Sequence, residues 1–169
     1  MAVELSTSGG ELIDPFGGVA DLADHVLRTP LDPATSFSDD PLRMLRAARF
    51  VAGFDLTPDP ALVESMSELR ERMSIVSRER VRDELSKLLA VADPRPALVL
   101  LESTGLLGQV LASLEGQLGE PDRAGCHPSA WAHTLDVVAA APVDEAVRVA
   151  ALFGRTGDAG ADVPTDDGL

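Results

Sequence analysis

The chain has 169 residues, 28 Asp plus Glu against 14 Lys plus Arg, and one cysteine. That length suits one domain or two small ones. The lone Cys126 excludes an internal disulfide and a multi-cysteine zinc site, and no apolar run is long enough to span a bilayer. Hydrophobic residues make up 45%, aromatics only 4%, and Tyr is absent. A core must then come from Leu, Val and Ala, which favours helices over a β-sandwich.

The first elements are short. Residues 1–5 read as a strand, Ser8-Gly9-Gly10 as a turn and Glu11-Leu12-Ile13 as its return, so a hairpin is expected over residues 1–13. A lone hairpin is marginal in water unless it packs on something. Residues 14–37 read as a linker loop. It holds the Pro15-Phe16-Gly17-Gly18 turn, a helical turn over 21–26, and an irregular stretch imposed by Pro30 and Pro33.

A helical region is expected over 38–118. Asp39-Asp40-Pro41 places an acid at the cap and proline in the first turn, a helix start. Leu42, Leu45, Ala48 and Ala52 then follow helical spacing to a stop at Gly53. A second helix runs from about residue 60 to 73. Ser77 caps a third over 78–91, whose face is Val81, Leu85, Leu88 and Leu89. A fourth starts near residue 97 and ends at Gly105, and a fifth covers 106–114. Residues 116–125 read as a linker. Two further helices, 129–140 and 144–153, flank Pro142, and 154–169 reads as a disordered acidic tail. There is no internal repeat. No basic segment precedes an apolar stretch at the N-terminus, so no signal peptide is expected, and the chain reads as a soluble cytoplasmic protein.

The net charge of −14 disfavours strong autonomous binding to nucleic acid. The distribution is uneven. Residues 1–40 carry −7 and residues 102–169 carry −8, whereas residues 41–101 hold ten of the fourteen bases and carry +1. A polyanion site, if there is one, belongs in the middle third.

There the stripe Asp40, Arg43, Arg46, Arg49 recurs at three-residue spacing. Asp40 and Arg43 share the face of a first helical turn. A carboxylate beside a guanidinium sets acceptors next to donors and matches a nucleobase edge. Spacing alone equally describes, and favours, an i,i+3 salt bridge on a solvated arginine face. Arg78, Arg80 and Arg82 with Glu79, Asp83 and Glu84 read as an exposed, salt-bridged helix start. The Gly17-Gly18 pair reads as a turn, with close approach to a ligand as the alternative. His127 and His133 flank Trp131 with Cys126 beside His127, but a metal needs more ligands; His133 and Asp136 share a helical face and make only two, so ordinary helix histidines are the reading. No P-loop, G-x-S-x-G or H-E-x-x-H pattern occurs.

The segments together resemble the class II tRNA nucleotidyltransferases, the CCA-adding enzymes, and the related bacterial poly(A) polymerases. Residues 11–22 resemble the loop between that family's catalytic head and neck. Ser38-Asp39-Asp40-Pro41-Leu42-Arg43 and the residues to Phe50 resemble its nucleotide-recognition helix. Residues 76–85 resemble a later neck helix, and Ser103-Thr104-Gly105-Leu106-Leu107 the start of the body. The resemblance implies an all-α neck and body bundle with a β-hairpin remnant of the head. It implies that Asp40 and Arg43 pair with the base of CTP or ATP. Asp39 stands where the family usually has Glu. Arg46 and Arg49 are left with neck packing or the RNA backbone, and Arg72 is expected to be a bystander.

The head's G-S-x-x-D-x-D metal motif is absent, so no catalytic residue is expected in this chain. Mg²⁺ and CTP or ATP belong to a complete enzyme. The chain reads as a partial nucleotidyltransferase for tRNA 3′ ends, with a separately supplied head domain as partner. Whether it is a truncated product, half of a split enzyme or an isolated domain stays open. The alternatives are a non-catalytic helical RNA- or protein-interaction module and a poly(A) polymerase relative. Residues 126–153, with His127-Pro128-Ser129-Ala130-Trp131-Ala132-His133, resemble the opening of an HD-type phosphohydrolase domain. Gly154 and Arg155 fill the positions of that domain's His-Asp pair, so this segment is expected to be degenerate, without metal, with His133 left alone.

Overall fold

The computed structural model describes residues 2–4, 11–122 and 125–154. The expected hairpin is present: β1 (Ala2–Glu4) pairs antiparallel with β2 (Glu11–Ile13), Ala2 opposite Ile13. Its predicted turn lies outside the described residues, as does the predicted acidic tail beyond Gly154.

The stretch 14–37 is more ordered than a linker. Helix α1 (Gly18–Ala23) starts after Gly17, whose φ of 73° is a left-handed value that glycine accepts without strain. A two-residue strand β3 (Val26–Leu27) pairs in parallel with β4 (Thr57–Pro58) and fastens this stretch to the rest. Helix α2 (Pro33–Asp39) forms where an irregular stretch was expected. The Asp32 carboxylate accepts from Thr35 N at 2.9 Å, and Pro33 occupies the first helical position. There its missing N–H costs nothing, so this proline starts a helix instead of preventing one.

Helix α3 (Leu42–Phe54) follows Pro41 and ends one residue beyond the expected glycine, with Asp55 in the left-handed region at φ 52°. Then come α4 (Pro60–Leu69), a 3₁₀ segment Arg70–Ile75, α5 (Arg78–Leu89), α6 (Arg95–Ser103) and α7 (Leu106–Val110). The predicted second and fifth helices thus each tighten into 3₁₀ at their C-terminal ends, the latter at Ala112–Leu114. Part of the expected 116–125 linker is helical, in α8 (Glu115–Leu118). Helices α9 (Ala130–Ala140) and α10 (Glu145–Phe153) close the chain, capped by Ser129 and Asp144 through bonds to Ala132 N and Val147 N.

The fold is the mostly helical bundle that the composition predicts. Helix α3 lies at its centre against α5 and α6, and α2 packs on α4. Phe37, Met44, Leu45, Ala48, Leu62, Met66, Leu88, Leu98 and Leu101 fill the interior. The same core continues through Leu106, Leu107 and Leu114 to Trp131, Val138 and Leu152, so α9 and α10 are docked onto the bundle. Polar contacts reinforce that docking. Trp131 Nε1 donates to Glu102 Oε2 at 2.8 Å, and Ser86 Oγ to Glu145 Oε1 at 2.5 Å. Arg148, 1% exposed, donates to the carbonyls of Leu89, Val91 and Ala92 at the end of α5. A cation there complements the negative end of the helix.

Candidate nucleic-acid interface

The junction between α2 and α3 gathers three guanidiniums from three segments. Arg43, on the first turn of α3, donates to Ser36 O at 3.2 Å and Ser36 Oγ at 3.1 Å. Arg72, from the 3₁₀ segment, donates to Ser38 O at 3.0 Å. Arg80, from α5, donates to both oxygens of Asp40, at 3.2 and 3.0 Å. The carbonyls of Ser36 and Ser38 lie in the last turn of α2, where its dipole favours cations.

Asp40 and Arg43 therefore do not form the i,i+3 pair that spacing suggests. Asp40 ends α2 in an extended conformation, its backbone O accepts from Arg43 N at 3.0 Å, and its carboxylate turns to Arg80. Ser36 orients Arg43, and Arg80 orients Asp40. Ser36 escaped the sequence reading, and Arg80 was read only as part of a salt-bridged helix start; its pairing with Asp40 does not follow from helical periodicity. Arg72, outside the motif, braces the carbonyl next to Asp39. Asp39 is exposed.

Arg46 and Arg49 point to a different partner. Glu84 of α5 is 2% exposed, although its helix read as an exposed mixed-charge surface. Arg49 Nε lies 2.5 Å from Glu84 Oε1, while Arg46 Nε and Lys87 Nζ lie 3.8 and 3.9 Å from Oε2. The Arg49 guanidinium also sits 4.5 Å above the centre of the Phe50 ring. Arg49 is thus a packing residue that ties α3 to α5. Arg46 is half exposed and reaches the rim of a cleft.

That cleft, of about 550 Å³, opens between the 27–31 segment, α2, α3 and α5. Arg28, Arg43, Arg46, Arg49 and Lys87 line it together with one acid, Glu84, with Ser36 and Thr29 as neutral polar groups and Phe37, Phe50 and Leu62 as apolar groups. Cations beside apolar groups suit an anionic, planar ligand. The Gly17-Gly18 loop serves local structure. The Asp14 carboxylate accepts from Val19 N at 2.7 Å and Gly18 N at 2.8 Å, and these bonds hold its pKa below the usual aspartate value. A side chain at Gly17 would be strained by the φ of 73° and would touch Arg28, which pairs with Asp21 at 2.6 Å.

A family model described as "Probable RNA and SrmB-binding site of polymerase A" matches residues 53–118, from the end of α3 to the end of α8. The Multifunctional CCA protein of Xanthomonas campestris pv. campestris is 42% identical over 133 residues, covering 75% of this chain and 32% of that protein. Those of Neisseria gonorrhoeae and Nitrosococcus oceani are 41% and 40% identical over 131 and 151 residues, covering 75% and 85% of this chain and 31% and 36% of those proteins. The chain belongs to the CCA-adding enzyme and poly(A) polymerase family. It spans about a third of the length of these curated relatives. The family membership agrees with the resemblance carried by the motif around Asp40 and Arg43. Among the described residues, no helix is long and apolar enough to cross a membrane.

The C-terminal segment departs from expectation. His133 is not alone: its Nδ1 lies 3.1 Å from His127 Nδ1, and His127 Nδ1 lies 3.5 Å from Asp122 Oδ2. The sequence reading missed Asp122 because the residue falls in a polar stretch that carried no pattern.

Proposed function

We propose that this helical unit serves nucleotide addition at tRNA 3′ ends in the cytoplasm, selecting the incoming nucleotide and positioning the RNA. The observation that carries this reading is the geometry at the α2–α3 junction. A carboxylate and a guanidinium sit three residues apart, each oriented by a third residue and not spent on the other.

Arg43 offers donors only and Asp40 acceptors only. Side by side they discriminate the edges of cytosine and adenine, with about 1–3 kcal/mol per good bidentate contact. In the pair Arg80–Asp40 the arginine is half exposed and the carboxylate is 24% exposed, so the bond is weak and a base edge competes for the carboxylate at small cost. The cleft beside the pair gives the phosphates of a nucleotide or of the tRNA end Arg28, Arg46 and Lys87. Mg²⁺ and the phosphoryl-transfer carboxylates belong to a head domain acting with this unit.

A titration of fluorescent tRNA lacking its 3′ CCA, repeated at several salt concentrations, tests the RNA part. Arg46→Ala and Lys87→Ala should weaken binding and flatten the log–log salt slope by about one each. Unchanged slopes in both variants would remove the cleft from the interface. A second reading, a non-catalytic interaction module, draws on exposed Phe54 and Ile75 within the segment matched by the RNA and SrmB-binding model. A poly(A) polymerase relative would show adenine choice alone.

A further inference from the structure

Asp122 and His127 meet His133 of the first turn of α9, three side chains that nucleotide choice does not use. We propose that Asp122, His127 and His133 form a zinc-binding site. One ligand atom from each lies within 4.8 Å of the others. The His127 and His133 Nδ1 atoms are 3.1 Å apart, and Asp122 Oδ2 is 3.5 Å from His127 Nδ1. A tetrahedral ion with bonds of about 2.0–2.1 Å holds its ligands about 3.3 Å apart; the two spacings at His127 are close to that, and Asp122 and His133 would draw together from within 4.8 Å. Two imidazoles and a carboxylate suit zinc better than the all-oxygen cations.

The surroundings are those of a ligand set. The distal nitrogen of His127, Nε2, lies 3.4 Å from Asp136 Oδ2, and Arg95 holds Asp136 from 3.2 Å. A carboxylate on the far nitrogen of a liganding histidine fixes its ring and tautomer and raises its basicity. With the proton on Nε2 toward Asp136, the Nδ1 lone pair would face His133 and Asp122. Asp122 is buried, and its Oδ2 accepts from Cys126 N and His127 N at 3.0 Å each, which fixes the backbone that presents His127. The His127 side chain is 26% exposed, so solvent reaches the fourth coordination position. The site uses neither of the positions filled by Gly154 and Arg155. Zinc there clasps Asp122 and His127 to α9 and stabilises the folded chain by linkage.

The test uses the full chain with Cys126→Ser, which removes the exposed thiol as an adventitious ligand. After dialysis against chelator, Zn²⁺ is titrated by calorimetry and the imidazole nitrogens are followed by NMR. One equivalent should bind, shifting the His127 and His133 rings and leaving His25 unmoved. His25 lies apart on Asp55 O and serves as the internal reference. His127→Gln and His133→Ala should each weaken binding more than about tenfold, and Asp136→Asn by about tenfold as a positioning residue. If either histidine variant unfolds, the ring shifts of the parent chain decide. Binding no tighter than in the double histidine variant, or ring shifts shared equally by His25, would overturn the site.

Discussion

Arginines hold the bundle together in two contrasting ways. At the α3–α5 contact, Arg49 meets a buried carboxylate, Glu84, with Arg46 and Lys87 close by and solvent within reach. In α10, Arg148 is fully buried and donates to backbone carbonyls at the end of α5 and at Ala141, with Nε unsatisfied. The first arrangement tolerates rearrangement, because neighbouring cations share one anion. The second depends on one side chain satisfying several carbonyls that have lost water. The difference separates the α3–α5 contact, where several cations share one carboxylate, from α10, where one buried cation is consumed by docking.

Arg148→Ala should give the largest loss, about 4 kcal/mol, since it removes charge-assisted bonds and leaves both a cavity and unpaired carbonyls. Urea unfolding measures it, and a loss below about 1 kcal/mol would erase the contrast. Arg49→Ala should cost less, about 2–3 kcal/mol, because Arg46 and Lys87 still face Glu84. Arg49→Met combined with Glu84→Leu should recover most of that loss, as apolar replacement of a buried pair often does. Gly105→Ala should cost about 1–2 kcal/mol. Its φ is 72°, and the added methyl would sit 3.0 Å from Arg70 Cδ.

The smallest effect concerns pH. Bonds from Val19 N and Gly18 N lower the Asp14 pKa below 3.8, and the bond from Arg95 lowers that of Asp93. A carboxyl depressed in the folded state contributes fully above its unfolded pKa, and the contribution disappears as pH falls through the folded value. Asp14→Asn and Asp93→Asn should therefore flatten the stability profile below about pH 4 and leave its slope unchanged near pH 7, as acid titration of the unfolding midpoint would show.

Local chemistry made much of the fold legible. Ser77, Ser129 and Asp144 mark helix starts, and helical spacing in α3 and α5 marks the core faces; Asp39-Asp40-Pro41 marks the start of α3, but its acids end α2 and Pro41 itself holds the cap position. Pro33 misled because proline at a first turn and proline in a loop look alike until Asp32 is seen to cap the helix. Boundaries slipped where helices tightened into 3₁₀ turns. Within the candidate site, Asp40 and Arg43 were visible through their motif. Ser36 lies on the unpredicted α2, while Arg72 and Arg80 arrive from more than thirty residues away, through contacts that only packing decides. Glu84 looked like one charge in an exposed run. Its burial depends on which face of α5 meets α3.

The central claim is that Asp40 and Arg43, oriented by Arg80 and Ser36, choose the nucleotide. It is tested most directly in a chimera. The matching 133 residues of the Xanthomonas campestris Multifunctional CCA protein are replaced by those of this chain, and single-nucleotide incorporation into tRNA is measured with CTP, ATP, UTP and GTP. The account predicts that the chimera prefers CTP and then ATP. Arg43→Ala and Asp40→Ala should each reduce that preference at least tenfold, Arg80→Ala should reduce it by less, and Arg82→Ala should leave it intact. Wild-type choice and rate in both the Arg43 and Asp40 variants would contradict the account and reduce the pair to helix-junction scaffolding.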